Sequence, residues 1–177
     1  MALPKLAVKN FKLEMILAGC NWCPGVQFRA MIKEIDIPPL WLALALGVAW
    51  GLSRVWSVSG LEGLGAGLIL GGIGLLLSAV GSMVLARTSF VPRRDPTALV
   101  TGGLFRFSRN PIYLADAMIL AGAILSWGAM LALPLIPLFM ALITFRYIHD
   151  EEARLRSAFG AEYAAWAAHV PRWFWRF

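Results

Sequence analysis

Charged side chains are scarce in this sequence, and their scarcity excludes most soluble folds. Only 15% of the 177 residues are Asp, Glu, Lys or Arg, whereas 59% are hydrophobic. A soluble domain of this size carries about 25% charged residues. The composition therefore predicts an integral membrane protein.

Metal-ligating side chains are also few. The two cysteines, Cys20 and Cys23, form one C-x-x-C, and the two histidines, His149 and His169, lie far along the chain. A structural zinc site needs four ligands, so we interpret the cysteines as ordinary thiols rather than as a redox pair or half a zinc site. The chain also lacks a G-x-G-x-x-G after a strand, so we expect no metal site and no Rossmann domain.

Acidic residues are outnumbered, and the net charge is +6. In a membrane protein this excess sets topology and favours contact with anionic lipids. No separable soluble basic face is present, so we expect no nucleic-acid partner. Basic residues gather before the first apolar segment, in the middle loop and after the last apolar segment, which predicts that both termini and this loop are cytoplasmic.

Long apolar runs predict an all-α bundle of about four transmembrane helices. The last two share one run that is too long for a single span of about 20 residues. We expect a break near Ser126–Ala129, and a fourth helix bent by Pro134 and Pro137. The predicted spans lie near residues 37–56, 61–86, 112–128 and 129–148.

The remaining segments complete a single membrane domain over residues 37–177, with a long loop at 87–111 and a cytoplasmic C-terminal helix at 149–169. Residues 1–36 are either an interfacial amphipathic arm or an extension ahead of a natural start at Met31. In the second span, Gly63, Gly67 and Gly71 form overlapping G-x-x-x-G pairs, which predict close helix packing.

Two polar clusters flank the third and fourth spans, and a helical hairpin would return both to one face. The first, "LVTGGLFRFSRNPIY", joins Gly102 and Gly103, which allow close backbone approach, to a helix start at Pro111 that suits an anion. Its Arg109 can bind a carboxylate in a bidentate manner, and aromatic rings at Phe105 and Tyr113 could pack on a flat ligand.

The second cluster begins with the acidic run Asp150–Glu152 directly after a membrane helix. The helix dipole disfavours negative charge at that point. Helical spacing offers the ion pairs Asp150–Arg154 and Glu152–Arg156. A solvated, salt-bridged helix explains part of this pattern, but not an acid at the membrane edge that faces the other cluster.

These two segments resemble a known family. "LVTGGLFRFSRNPIY" resembles the LVTxGxxxxxRHPxY signature of the isoprenylcysteine carboxyl methyltransferase family, and "EEARLRSAFGAEYAAWAAHVPR" resembles its EExxLxxxFGxEYxxYxxxVPR tail. The resemblance covers about residues 97–173. It implies a membrane methyltransferase that uses S-adenosylmethionine without a Rossmann domain, with a lipophilic substrate arriving from the bilayer.

The resemblance also implies a set of site residues. From the chemistry of methyl transfer we expect Arg109 or Arg146 to orient an anionic substrate or the cofactor carboxylate, and Asp116 or Glu152 to accept a proton if the substrate is an amine. Glu151 would hold the cofactor's ammonium or ribose hydroxyls. The residues expected to line the cofactor pocket are Thr97, Ala98, Leu99, Val100, Phe105, Asn110, Pro111, Ile112, Tyr113 and Glu151.

The sequence departs from the family at two positions. Asn110 stands where the family has His, which argues against a catalytic base there, and the family's substrate-binding arginine falls at Tyr147 beside Arg146. Asp116 has no family counterpart, and an intramembrane carboxylate is either functional or a paired or protonated group facing the bundle. The small chain with short loops suggests the bacterial inner membrane.

Three alternatives are kept open. The first is N-methylation of a phosphatidylethanolamine-type lipid. The second is an NADPH-dependent membrane sterol-type reductase, because some of these carry a similar RHPxY…DEExxxxKYG ending. A non-catalytic membrane protein on the same scaffold is the third alternative.

Overall fold

The computed structural model describes residues 38–59, 61–88 and 97–174, and all regular structure in these ranges is helical. The prediction of an all-α membrane bundle is confirmed. Residues 1–36, with Cys20 and Cys23, lie outside the described part. The helices are α1 (Pro38–Ser53), α2 (Glu62–Leu85), α3 (Pro111–Ser126), α4 (Leu135–Ile143) and α5 (His149–His169).

Each predicted span contains one of the first four helices. α2 has 24 residues, and at 1.5 Å per residue its length of about 36 Å exceeds the roughly 30 Å hydrocarbon core. α1 and α3 are shorter, at 16 residues each. Helices suit these apolar segments because lipid offers no partner for backbone N–H and C=O groups.

The fourth span and α5 form one run of 40 residues, from Met130 to His169, in which non-helical dihedral angles at Gly160 are a break. A 3₁₀ turn at Met130–Ala132 precedes α4, and a π-helical turn at Thr144–Ile148 joins α4 to α5. α3 ends at Ser126, inside the expected break, and Gly128 turns the chain with a φ of 62°. Pro134 begins α4 as its N-cap residue, because proline lacks an N–H that an earlier turn could use.

Small residues bring α2 and α3 together, but they are not the ones predicted. An ideal Cβ on Gly65 would lie 2.5 Å from the Ser126 nitrogen, whereas nothing lies within 4 Å of one on Gly63 or Gly67. The interface instead uses Gly65 and Gly72 on α2 with Gly122 on α3. The predicted close packing of α2 is confirmed, but Gly63 and Gly67 have no part in it and a Cβ on Gly71 would meet only the Met118 side chain, at 3.4 Å, because a seven-residue spacing turns a different face of α2 toward α3.

The other side of α3 packs into the main core with α1 and α4. Fully buried Leu120 and Ile124 on α3 belong to one apolar cluster with Ala49 of α1 and Phe139 and Ile143 of α4. α3 is thus held on two sides. This fixes the position of its N-terminus, which lies within the first signature.

Gly160 divides α5 in two. Its φ of 48° and ψ of −117° are non-helical, in a region that only glycine adopts readily. The chain changes direction there, and the second half of α5 carries Tyr163 and Trp166 back against the loop before α3. The indole of Trp166 donates to the Phe105 carbonyl at 3.3 Å.

Candidate cofactor site

The loop before α3 is fastened to the C-terminal segment by hydrogen bonds to backbone carbonyls. The Arg109 N–H donates to the Pro171 carbonyl at 2.9 Å. The Arg172 carbonyl accepts from the Ser108 hydroxyl at 3.3 Å and from the Asn110 amide at 2.9 Å. The two sequence signatures therefore lie in direct contact, although about sixty residues separate them.

A buried ion-pair cluster lies beneath this contact. The Glu152 carboxylate is 3.1 Å from Nη1 of Arg109, and it accepts from Nε and Nη2 of Arg172 at 2.9 and 2.7 Å. Bidentate guanidinium–carboxylate pairs of this kind are among the stronger hydrogen bonds in proteins. The predicted pair Glu152–Arg156 was wrong, because Glu152 faces the loop rather than solvent.

Electrostatics keep Glu152 ionised. Burial alone would raise the pKa of its carboxyl, but the hydrogen bond from Arg172 and the charges of Arg109 and Arg172 outweigh burial and lower the pKa. The pKa of Arg172 rises, chiefly because of the same hydrogen bond. An ionised carboxylate shared by two guanidinium groups is a poor proton acceptor, so the geometry gives Glu152 a positioning role.

Tyr163 completes the surroundings of Arg109. Its hydroxyl accepts from Arg109 Nη1 at 3.3 Å, and the Arg156 guanidinium lies 5.9 Å from its ring centroid. Burial and the nearby charge of Glu152 raise the pKa of the Tyr163 phenol, so it stays neutral. Nε of Arg109 is buried and has no hydrogen-bond partner in the described ranges, and such a donor calls for an explanation.

A second acidic residue, Glu151 of α5, lies beside the start of α3. The Tyr113 hydroxyl donates to Oε1 of Glu151 at 2.7 Å, which joins the first turn of α3 to the first turn of α5. Tyr113 is buried, and its ring centroid lies 6.4 Å from that of Tyr147. Two residues that the sequence assigned to the cofactor pocket therefore meet through one short hydrogen bond.

The N-cap residue of α3 does not use its side chain to cap the helix. Asn110 makes no side-chain cap hydrogen bond, and Pro111 occupies the first turn. The Asn110 amide instead fastens the C-terminal segment. At the position of the family's histidine, this chain thus uses a neutral side chain for structure and leaves the helix N-terminus available to an anion.

The segment Thr97–Val100 runs alongside the end of α2. The Thr97 hydroxyl donates to the Arg87 carbonyl at 2.8 Å, and the N–H groups of Thr97 and Ala98 donate to the Thr88 hydroxyl at 3.3 and 3.4 Å. Ala98, Leu99 and Val100 are half-buried, as is Ile112. Phe105 is buried at the 3₁₀ turn Gly103–Arg106.

Arg146 lies apart from Arg109 and Glu152. It is exposed in the π-helical turn, with its guanidinium 5.9 Å from the ring centroid of Trp41 on α1. The neighbouring Tyr147 is buried and accepts from the Trp41 indole at 3.1 Å. Of the three residues considered for catalysis, the structure brings together two and places the third beside α1.

Sequence reasoning missed several residues of this region. Tyr163 and Arg172 lie inside the tail signature. No spacing rule pairs Tyr163 with Arg109, 54 residues away, or Arg172 with Glu152, 20 residues away. Trp166 also lies inside the tail signature, at an aromatic position of the motif, so that only Thr88 lies outside both signatures. In the part of the chain that the structure describes, no group of three or more His, Cys, Asp or Glu side chains could hold a metal ion.

Comparison with known families decides how these features are read. The sequence model of the phospholipid methyltransferase family matches residues 62–162, more than half of the chain. The chain belongs to the phospholipid methyltransferase family. The match confirms the resemblance, since this family includes the isoprenylcysteine-type membrane methyltransferases.

Membership of the phospholipid methyltransferase family makes the protein a membrane methyltransferase that acts on lipid-type substrates. The match includes α2, the loop, α3, α4 and most of α5, and so the buried ion pair of Arg109 and Glu152. No curated protein and no solved structure matched the chain.

Proposed function

We propose that the protein transfers the methyl group of S-adenosylmethionine to a lipophilic acceptor that enters from the bilayer. One observation supports this most directly: the hydrogen bond of 2.7 Å between Tyr113 and Glu151 lies at the N-terminus of α3, where the N-cap residue makes no side-chain cap hydrogen bond. An acid and an anion site therefore lie within one helical turn.

The donor set of this region fits the cofactor. Glu151 can accept from the cofactor's ammonium group or ribose hydroxyls. The first turn of α3 and the unpartnered Nε of Arg109 offer donors to its carboxylate. The side chains of Phe105 and Tyr113 are aromatic groups of the kind that pack on an adenine ring.

When bound, S-adenosylmethionine supplies a methyl group on a positively charged sulfur. The protein's contribution is alignment of the acceptor and exclusion of water. Glu152, Arg172 and Tyr163 hold Arg109 in place, and Asn110 fixes the C-terminal segment beside the site. These contacts position the binding groups before the ligands arrive.

For the acceptor, the sequence favours a carboxylate of the isoprenylcysteine type, which is already ionised and needs no base. A phosphatidylethanolamine-type amine is the second candidate, and buried Asp116 beside the site favours it. The family match favours methyl transfer over the NADPH reductase alternative. We place the site at the cytoplasmic face of a bacterial inner membrane, with both termini on that side.

Glu151→Ala tests the proposal by isothermal titration calorimetry on protein purified in detergent. A charged hydrogen bond contributes about 1.5–3 kcal/mol, so we expect affinity for S-adenosylmethionine to fall at least tenfold. Glu162→Ala, an exposed acid on the same helix, is the control. Unchanged affinity in Glu151→Ala would refute the role of Glu151, and wild-type binding of NADPH instead would refute the proposed function. Labelled cofactor added to a lipid extract then identifies the acceptor.

A further inference from the structure

Asp116 is a buried carboxylate inside α3, one helical turn beyond Tyr113. Only 7% of its surface is exposed. Within the described ranges no residue donates a hydrogen bond to it or forms an ion pair with it. Glu152, the other buried acid, has two guanidinium partners. A buried carboxylate without a partner is costly, so its presence in a membrane helix calls for a function.

The surrounding helices offer Asp116 no cation. α1, α2 and α4 contain no Lys, Arg or His, and their one acid, Glu62, lies at the end of α2 that packs beside Ser126. Of the nearest arginines, Arg109 is paired with Glu152 and Arg146 lies over Trp41. The ionisable group that faces Asp116 is the Tyr113 phenol, which donates to Glu151.

Asp116 lies deeper in the span than the proposed cofactor site. It follows Pro111 by five residues, or about 7 Å along the helix axis, and follows Tyr113 by about 4.5 Å. Asp116 is therefore about one turn further along α3 than the Tyr113–Glu151 hydrogen bond, toward the middle of the span.

We infer that Asp116 binds the ammonium group of an amine-bearing lipid acceptor and takes up its proton, a role that rests on the proposed function. An N–H bond breaks and its proton passes to an Asp116 oxygen. The freed nitrogen electron pair forms the bond to the methyl carbon, and the electron pair of the methyl–sulfur bond stays on the sulfur of the sulfonium donor. Glu152 is held by Arg109 and Arg172, so it is not the acceptor of this proton.

The charge of Asp116 also selects between acceptors. An ammonium group gains a partner at this carboxylate, whereas a carboxylate acceptor would meet a like charge in a buried site. Asp116 thus favours an ethanolamine-type headgroup, the second candidate above, over the carboxylate acceptor that the sequence signatures favour. S-adenosylmethionine also carries an ammonium group, so the experiment must distinguish binding of the lipid's ammonium from binding of the cofactor's.

Asp116→Asn removes the charge and keeps the shape. Calorimetry with short-chain phosphatidylethanolamine, phosphatidylglycerol and S-adenosylmethionine measures three affinities for each purified protein. We expect at least tenfold weaker binding of phosphatidylethanolamine, with the other two affinities unchanged, and at least a hundredfold loss of labelled methyl incorporation into that lipid. The control is Asp150→Asn, an exposed acid at the start of α5, which should change none of these.

Several outcomes would overturn the inference. Equal binding of phosphatidylethanolamine by Asp116→Asn refutes it, and a fall in S-adenosylmethionine affinity instead assigns Asp116 to the cofactor's ammonium. Without lipid the Asn variant should unfold at a temperature no lower than wild type, because it buries no charge. If Asp116→Asn unfolds at a lower temperature than wild type, and Asp116→Glu restores the unfolding temperature without restoring lipid binding, the role of Asp116 is structural. Failure of the wild type to bind S-adenosylmethionine would refute the proposed function itself.

Discussion

The α2–α3 interface and the contact between the loop and the C-terminal segment both hold α3, but they use opposite chemistry. Along α2 the contact depends on the absence of side chains at Gly65, Gly72 and Gly122, which lets backbone meet backbone. At the N-terminus of α3 the contact depends on charge, through Glu152 and its two arginines.

This difference follows from the two solvents. In lipid, apolar side chains gain little by leaving the hydrocarbon, so helices associate through close van der Waals packing. Near water, burial of a charge is costly unless a partner is present, and the pair then depends on both members. The first contact should respond to side-chain volume and not to pH, and the second should respond to charge and pH.

Gly65→Val should break the helix interface and have the largest effect. The new Cβ would lie 2.5 Å from the Ser126 nitrogen and 2.6 Å from the Gly122 carbonyl oxygen, and backbone atoms cannot move aside cheaply. We expect a loss of at least about 3 kcal/mol, seen as a lower unfolding temperature and aggregation in size-exclusion chromatography. Gly67→Val is the matched control, since nothing lies within 4 Å of its Cβ. Equal effects of the two variants would contradict the observed face of α2.

Glu152→Gln should break the charged contact with a somewhat smaller effect. It leaves Arg109 and Arg172 without their shared carboxylate, and removal of one partner from a buried pair costs about 3 kcal/mol. Thermal unfolding measures the loss, and faster trypsin cleavage after Arg172 reports release of the C-terminal segment. Glu162→Gln changes an exposed acid on the same helix and should do neither. A Glu152→Gln protein as stable as wild type would show that the cluster contributes nothing.

Acid should have the smallest and most selective effect. Because the folded-state pKa of Glu152 lies below its ordinary value of 4.5, its stabilisation is complete above that value and is lost as the pH falls through the folded pKa. The difference in unfolding temperature between wild type and Glu152→Gln should stay constant from about pH 7 to about pH 5 and shrink below that. The difference in unfolding temperature between wild type and Gly65→Val should not shrink in this pH range. If it shrinks in parallel, acid weakens the whole bundle and not the Glu152 contact alone.

The sequence predicted the helices well because their signal is local. Apolar length indicated α1 to α4, and Gly128 in "SWGA" falls at the turn after α3. The face of α2 that meets α3 was not predictable, since glycines occupy both faces of a helix with almost no polar residue to distinguish them. Gly63 and Gly67 have the four-residue spacing of the usual G-x-x-x-G motif, whereas the glycines that contact α3, Gly65 and Gly72, are seven residues apart.

The site was predictable in outline but not in its pairing. The position of two polar clusters around a helical hairpin predicted that they would meet, and Tyr113 and Glu151 do meet. For Glu152 the sequence offered Arg156 four residues away, and nothing local favours Arg172 twenty residues away. That choice depends on the reversal at Gly160, a tertiary event that helical spacing rules do not describe.

The unbroken helical path from α4 through the π-helical turn into α5 couples the bilayer to the site mechanically. Leu135 and Glu151 lie sixteen residues apart, or about 24 Å along the axis. A change of about 5° in the tilt of α4 would displace Glu151 by about 2 Å relative to a fixed base. That distance is comparable to the whole Tyr113–Glu151 hydrogen bond of 2.7 Å. Membrane thickness, to which helices adapt in part by tilting, thereby becomes a variable that would alter the geometry of the cofactor site.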